Sequence, residues 1–252
     1  MTTGQCLRWS SNMITSNVQN GRIAKPGEWP WIVLISGQKY YWGFIPTDNF
    51  KFTITVRTVQ NRRHTSADHT YSVQKRIVHY KYKTIHGLDK RYDIALLKLG
   101  SQIPIPSSSS SSSGQYPLIN GICLPDKDIL NTDEELALVA GFGWIDDRIG
   151  NYGPLMMGWI MVDKRDANND DDNQWDNWFT AHRYPNTNGS AICKGDSGGP
   201  VVQYVGNRAV LIGLNRASTL NIECMSYKSV AIMHLMRVSK FVDWIVDTIR
   251  YS

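Results

Sequence analysis

The plainest chemical signal in the chain is the string Gly195-Asp196-Ser197-Gly198-Gly199-Pro200, which begins two residues after Cys193. Glycines on both sides of a lone hydroxyl let the backbone N–H groups of Gly195 and Ser197 converge on one point. Two convergent donors stabilise the oxyanion of an acyl transfer, and the Ser197 Oγ beside them would be the attacking nucleophile. A glycine-rich turn by itself is common, but these six residues directly after a cysteine are far more specific. A serine hydroxyl attacks only when a base takes its proton, so the chemistry also calls for an imidazole oriented by a carboxylate.

The elements that must hold such a loop read as β-structure. Short runs of β-branched, aromatic and other apolar residues recur at 31–35, 50–56, 71–78, 94–99, 136–139, 201–204 and 209–214, with turn residues between them. That is the pattern of an all-β sandwich or barrel rather than of βαβ units. Only 238–249 reads as a helix. It places Val238, Phe241, Val242, Ile245, Val246 and Ile249 on one face, with Ser239 as the expected N-cap. Three stretches read as loops: the serine run 107–113, the Asp/Asn-rich segment 166–176, and the polar segment 61–70 with His64 and His69. The second lacks the spacing and closing Glu of an EF-hand loop, so no metal is expected there.

Composition bounds the function classes. The chain has 252 residues, enough for one large or two small β-domains, and 42% hydrophobic residues, enough for a real core. Its net charge of +5 comes from 27 basic and 22 acidic residues scattered mostly singly, which is not the footprint of a nucleic-acid binder. No apolar run reaches the roughly 18 residues of a membrane span.

The ordered motifs resemble the chymotrypsin/trypsin family of serine proteases. Asn20-Gly21 and Ala24-Lys25-Pro26-Gly27-Glu28-Trp29-Pro30-Trp31 resemble the start of the family's mature domain, and Asp93-Ile94-Ala95-Leu96-Leu97-Lys98-Leu99 resembles the segment of the triad aspartate. Ile122-Cys123-Leu124-Pro125, Val139-Ala140-Gly141-Phe142-Gly143-Trp144 and Arg237-Val238-Ser239-Lys240-Phe241-Val242-Asp243-Trp244-Ile245 follow in the family's order. The resemblance implies two six-stranded antiparallel β-barrels with the active site between them and a C-terminal α-helix. It divides the chain into an N-terminal pro-like segment, 1–17, and a protease-like domain, 18–252. It implies Asp93 and Ser197 as catalytic residues, Gly195 and Ser197 as oxyanion donors, and Asp196 as the partner of a newly cleaved N-terminus. No cofactor is implied.

Four cysteines allow two disulfides in three connectivities. The resemblance pairs Cys193 with Cys224 and Cys6 with Cys123, and it implies a secreted monomer. Residues 1–13 are polar and lack a signal-peptide core. A signal removed from the sequence, or missing from it, would reconcile the two.

The departures from the family are as informative. Between Gly43 and Val56 the family has a Thr-Ala-Ala-His-Cys-like motif, whereas this chain reads Phe44-Ile45-Pro46-Thr47-Asp48-Asn49-Phe50-Lys51-Phe52-Thr53-Ile54-Thr55, without histidine and shorter by roughly ten residues. Surface or wall positions are expected for the six histidines present, His64, His69, His79, His86, His182 and His234. The expected new N-terminus falls on Val18 after Asn17, which a trypsin-like activator would not cut, and the cleavable Arg22-Ile23 is out of register. In the specificity pocket, Ala191 takes the floor position, Arg216-Ala217-Ser218 replaces a Ser-Trp-Gly strand, and Met233 replaces a wall glycine.

These lesions point to a secreted protease homologue without catalysis that binds a protein partner or serves a proteolytic cascade. The alternative is an active serine endopeptidase whose gene model lost the exon carrying the histidine. A third reading, that the deletion prevents folding, rests on the lost strand and disulfide, the latter worth about 2–5 kcal/mol.

Overall fold

The computed structural model describes residues 21–37, 52–56, 69–84, 87–105, 119–126, 136–146, 151–163, 177–184, 190–206, 208–218 and 232–252. In chain order the strands are β1 (Arg22–Ile23), β2 (Val33–Gly37), β3 (Phe52–Val56), β4 (His69–Val78), β5 (Lys83–Thr84), β6 (Gly87–Leu88), β7 (Ala95–Leu99) and β8 (Leu136–Gly141). They continue with β9 (Trp144–Asp146), β10 (Asn151–Tyr152), β11 (Met156–Val162), β12 (Trp178–Arg183), β13 (Pro200–Val205), β14 (Arg208–Ser218) and β15 (Met233–Arg237), and the chain ends in helix α1 (Val242–Tyr251).

The C-terminal half closes on itself. Antiparallel pairing runs β8–β11–β12–β15–β14–β13 and returns to β8, a six-stranded barrel with β1 added along β11. Closure removes the edges that would otherwise expose unpaired backbone. Inside it Ala137, Val139, Ile160, Ala181, Val201, Ile212, Met233 and Leu235 are all fully buried in one cluster. In the N-terminal half, β2, β3, β4 and β7 form an antiparallel sheet over Ile54, Val56 and Ile119. Residues 38–51, where the family's other strands are expected, lie outside the described residues.

Two apolar clusters join the halves. Trp29, Trp31, Ile32 and Leu34 pack on Leu138, Met157 and Val202 of the barrel. Tyr92, Ile94 and Leu96 pack on Met236, Leu214, Phe241 and Ile245. The second cluster holds the neighbours of Asp93, partly buried Tyr92 and buried Ile94, and so restrains its backbone.

The helix differs from its sequence reading at both ends. Residues Val238–Phe241 form a 3-10 turn, and α1 begins after Phe241 without a side-chain cap. Ser239 is buried in that turn rather than free to cap. Val246 and Ile249, expected on the apolar face, are 39% and 50% exposed, whereas Phe241 is 2% exposed. The turn ahead of α1 shifts the buried stripe toward Phe241, Trp244 and Ile245. Phe241→Ala should therefore lose about 3–5 kcal/mol in urea unfolding, and Ile249→Ala no more than about 0.5 kcal/mol.

Candidate active site

The loop from Cys193 to Gly199 links the barrel interior to β13 and is held from three sides. Gly198 N–H donates to the Asn215 carbonyl at 2.7 Å, Asn215 N–H returns a bond to Gly199 at 2.8 Å, and Trp144 N–H donates to the Lys194 carbonyl at 2.8 Å. Gly195 sits at φ +96°, left-handed backbone that a side chain would strain. Neither Gly195 nor Ser197 donates its backbone N–H to a described residue, which leaves both oxyanion donors available.

Asp196 organises the loop from beneath. Its carboxylate is buried, and the Gly143 and Cys193 amides donate to its two oxygens at 2.8 Å each. The fit is so close that a Cβ on Gly141 or Gly143 would come within 2.0 or 2.5 Å of Asp196 Oδ1. Burial pushes the carboxyl up to about 6, against the pull of the two amides. Asn17 and Val18, where the family's cleaved N-terminus would begin, lie outside the described residues.

Ser197 and Asp93 come from opposite halves of the molecule. Ser197 Oγ donates to the Arg216 carbonyl at 3.3 Å. Asp93 follows the 3-10 turn Lys90–Tyr92 and is exposed. Packing around it holds its carboxyl above the usual value, with Arg216 and then Lys90 opposing the shift.

The histidines occupy other places. His79, expected at the surface, is 6% exposed, among the rings of Tyr92 (centroids 5.0 Å), Trp244 (4.9 Å) and Phe241 (5.4 Å). The C-terminal helix covers it, a tertiary contact with no local sequence signal. Its Nδ1 accepts from Lys81 N at 3.3 Å, and burial together with Lys81 depresses its pKa. His182 pairs through Nδ1 with Asp163. His234 lies on β15 beside Trp178, with ring centroids 6.3 Å apart. His69 is exposed on β4, and His64 and His86 lie outside the described residues.

In the expected pocket, Ala191 and Met233 are both 0% exposed within the barrel core. Ala217 pairs with His234 and Ser218 with Met233 across β14 and β15. Neither Cys123 nor Cys193 is a free thiol, and Cys6 and Cys224, their expected partners, lie outside the described residues. No cluster able to hold a metal occurs among the described residues, and segments 107–113 and 166–176 fall outside them.

Sequence reading missed the surroundings of Arg216. Its guanidinium lies over the Trp178 ring at 4.2 Å, and its charge acts on Asp93, Tyr82 and His234. An arginine in place of the expected serine was a legible signal of a changed site. The indole from β12 was not, because nothing in the run 177–183 says which strands will flank it.

A closed antiparallel barrel with one C-terminal helix, carrying a glycine-cradled serine opposite an aspartate from the other half, is the plan of the chymotrypsin-like serine proteases. The family described as Trypsin matches residues 18–245. The chain belongs to the trypsin family.

Two outcomes are expected. Asp196 is raised in the native state, so its contribution is present below the unfolded pKa near 3.8 and lost as pH rises through about 6. The difference is about 3 kcal/mol. Thermal unfolding from pH 4 to 7 should show this loss in the parent and a flatter profile in Asp196→Asn. Separately, Arg22 lies in β1 with its Nη1 on Glu28 Oε2 at 2.7 Å, so trypsin should spare the Arg22–Ile23 bond in the folded protein. N-terminal sequencing of the digest checks this, and Glu28→Ala should make the bond cleavable.

Proposed function

We propose that this trypsin-family protein works by binding a protein partner, as a decoy or a cofactor in a proteolytic cascade, and does not hydrolyse peptide bonds. The observation that carries the reading is the state of Ser197. Its hydroxyl is directed at a backbone carbonyl, and no described histidine bonds to it. The first histidine in the chain is His64, after the segment where the family places its base. Without that imidazole, turnover of a comparable protease falls by about 10⁶. Asp93 and Ser197 are then inherited structure, and Gly195 an oxyanion donor with nothing to stabilise.

Two further features support the reading. Met233, buried with Ala191, fills core volume where a specificity pocket would take a substrate side chain. Arg216 places a fixed cation near Asp93, and a guanidinium does not release its proton near neutrality, so it cannot serve as a base. We extend the proposal to secretion, to a monomer, and to the pairs Cys193–Cys224 and Cys6–Cys123.

A fluorophosphonate probe of activated serines tests the proposal. The protein, shown folded by a cooperative thermal transition, should remain unlabelled at Ser197 before and after limited trypsin treatment. Labelling that disappears in Ser197→Ala would favour the active-endopeptidase reading and end this one.

A further inference from the structure

A guanidinium taken partly out of water is ordinarily paired, because desolvating an uncompensated charge is costly. Arg216 breaks that pattern. Its Nε is buried without a hydrogen-bond partner, and the guanidinium makes no ion pair with a described residue. Trp178 covers one face of the group at 4.2 Å. A cation–π contact satisfies the face of the guanidinium and leaves the N–H groups along its edge unused. Beside it His234 Nδ1 is likewise buried without a partner.

Among the described residues the charges around this edge are few. Asp93 is the acidic group that acts on Arg216, and it stays too far away for an ion pair, with Lys90 on its other side. Tyr82 and His234 are the other titratable groups that feel Arg216, and neither brings a negative charge near neutral pH. Arg216 and Lys90 outnumber Asp93, which leaves the site one positive charge in excess.

The backbone beside it is open as well. β13 begins at Pro200, opposite Leu214, while β14 runs on to Ser218 with β15 as its partner among the described strands, and the Arg216 carbonyl accepts from Ser197 Oγ at 3.3 Å. Ala217 therefore has a described strand on one side only, the kind of edge that accepts an added extended chain. The edge and the cation together favour a polypeptide over a free anion, because only a polypeptide uses both.

Resting on the non-catalytic reading above, we infer that the Arg216–Trp178–His234 corner of the cleft binds an extended segment of a partner protein, with an Asp or Glu carboxylate of that segment on the Arg216 fork. The carboxylate would accept two parallel N–H bonds from the guanidinium, the arrangement that makes arginine selective for planar anions.

Fluorescence anisotropy with the folded full-length chain tests this. The probes are a labelled decapeptide of alternating Gly and Glu and its Gly/Gln counterpart, in 50 mM and 500 mM NaCl. The Glu peptide should bind about tenfold tighter or better at low salt, as expected for hydrogen bonds to a charged group. Arg216→Ala should abolish the preference. Equal binding of the two peptides, or a preference that survives Arg216→Ala in a variant with an intact thermal transition, would overturn the inference. Should that variant not fold, Arg216→Lys keeps the charge without the fork and should shrink the preference. An unchanged preference in Arg216→Lys would then overturn it. A heparin octasaccharide bound through Arg216 while the Glu peptide stays silent would also overturn it, in favour of a polysaccharide. Fluorophosphonate labelling reports separately on the parent reading, since a labelled protein with Arg216-dependent binding would sink that reading and keep this one.

Discussion

The buried carboxylate of Asp196 is the constraint around which the functional end of this protein is arranged. It sits between the end of β8 and the serine loop, and its two amide donors come one from each. Its space is so tight that Gly141 and Gly143 have no room for side chains, and that close approach lets the loop descend onto the barrel. Loop geometry and barrel closure are therefore one problem. The glycine-cradled serine persists as architecture because removing any part of it would leave a cavity or an unpaired polar group in the core, whatever happens to the chemistry above. The cost of the arrangement shows in the carboxyl itself. Two amides do not offset its burial, and it holds a proton well above the ordinary carboxylate range.

Much of the fold was legible because the family's signals are local. The runs that became β3, β4, β7, β8, β13 and β14 are rich in β-branched residues and bounded by turns, which is what a half-buried pleated surface selects. The strands of five or more residues that escaped notice are β11, β12 and β15, with sequences MMGWIMV, WFTAHR and MHLMR. Methionine has little strand preference, and positions inside a closed barrel need only be apolar and of suitable size, so these three strands lack the β-branched runs of the others. The misplaced helix cap and the buried His79 have a common cause. Both depend on α1 folding back over β4 and β7, a contact between segments about 160 residues apart that no window of sequence contains.

The candidate site divides the same way. The residues of the serine loop could be named from sequence because a tight turn demands particular residue types at particular places. The state of the site could not, because it depends on which side chains meet across strands. On β14 the resemblance expects an indole and this chain has Ala217 instead. An indole stands on β12 at Trp178, two residues before Thr180, which lies across β15 from Ala217, and Arg216 lies against it. The substituted strand and the missing histidine motif, separate departures in the sequence, are in this light one rearrangement. A cation covers a displaced aromatic surface, near an aspartate on which no described imidazole acts.

That rearrangement bears on how such a cleft could hold a partner at all. On the reading proposed above, Met233 inside the barrel core takes the space of a deep pocket, and a pocket is where a protease of this plan draws much of its selectivity. Affinity must then come from the strand edge and from charge. Net strand-edge hydrogen bonds contribute only about 0.5–1.5 kcal/mol each, and they are indifferent to side chains, so they confer reach without discrimination. A single half-buried guanidinium supplies the missing selectivity, because it rejects a neutral residue by leaving its own N–H groups unpaired. On the same proposed reading, this logic weighs against a return to catalysis by small steps. Restoring a histidine would place a second base-bearing ring near a cation that, added to burial, already depresses the neighbouring imidazole of His234, so the new base would be weakened as well.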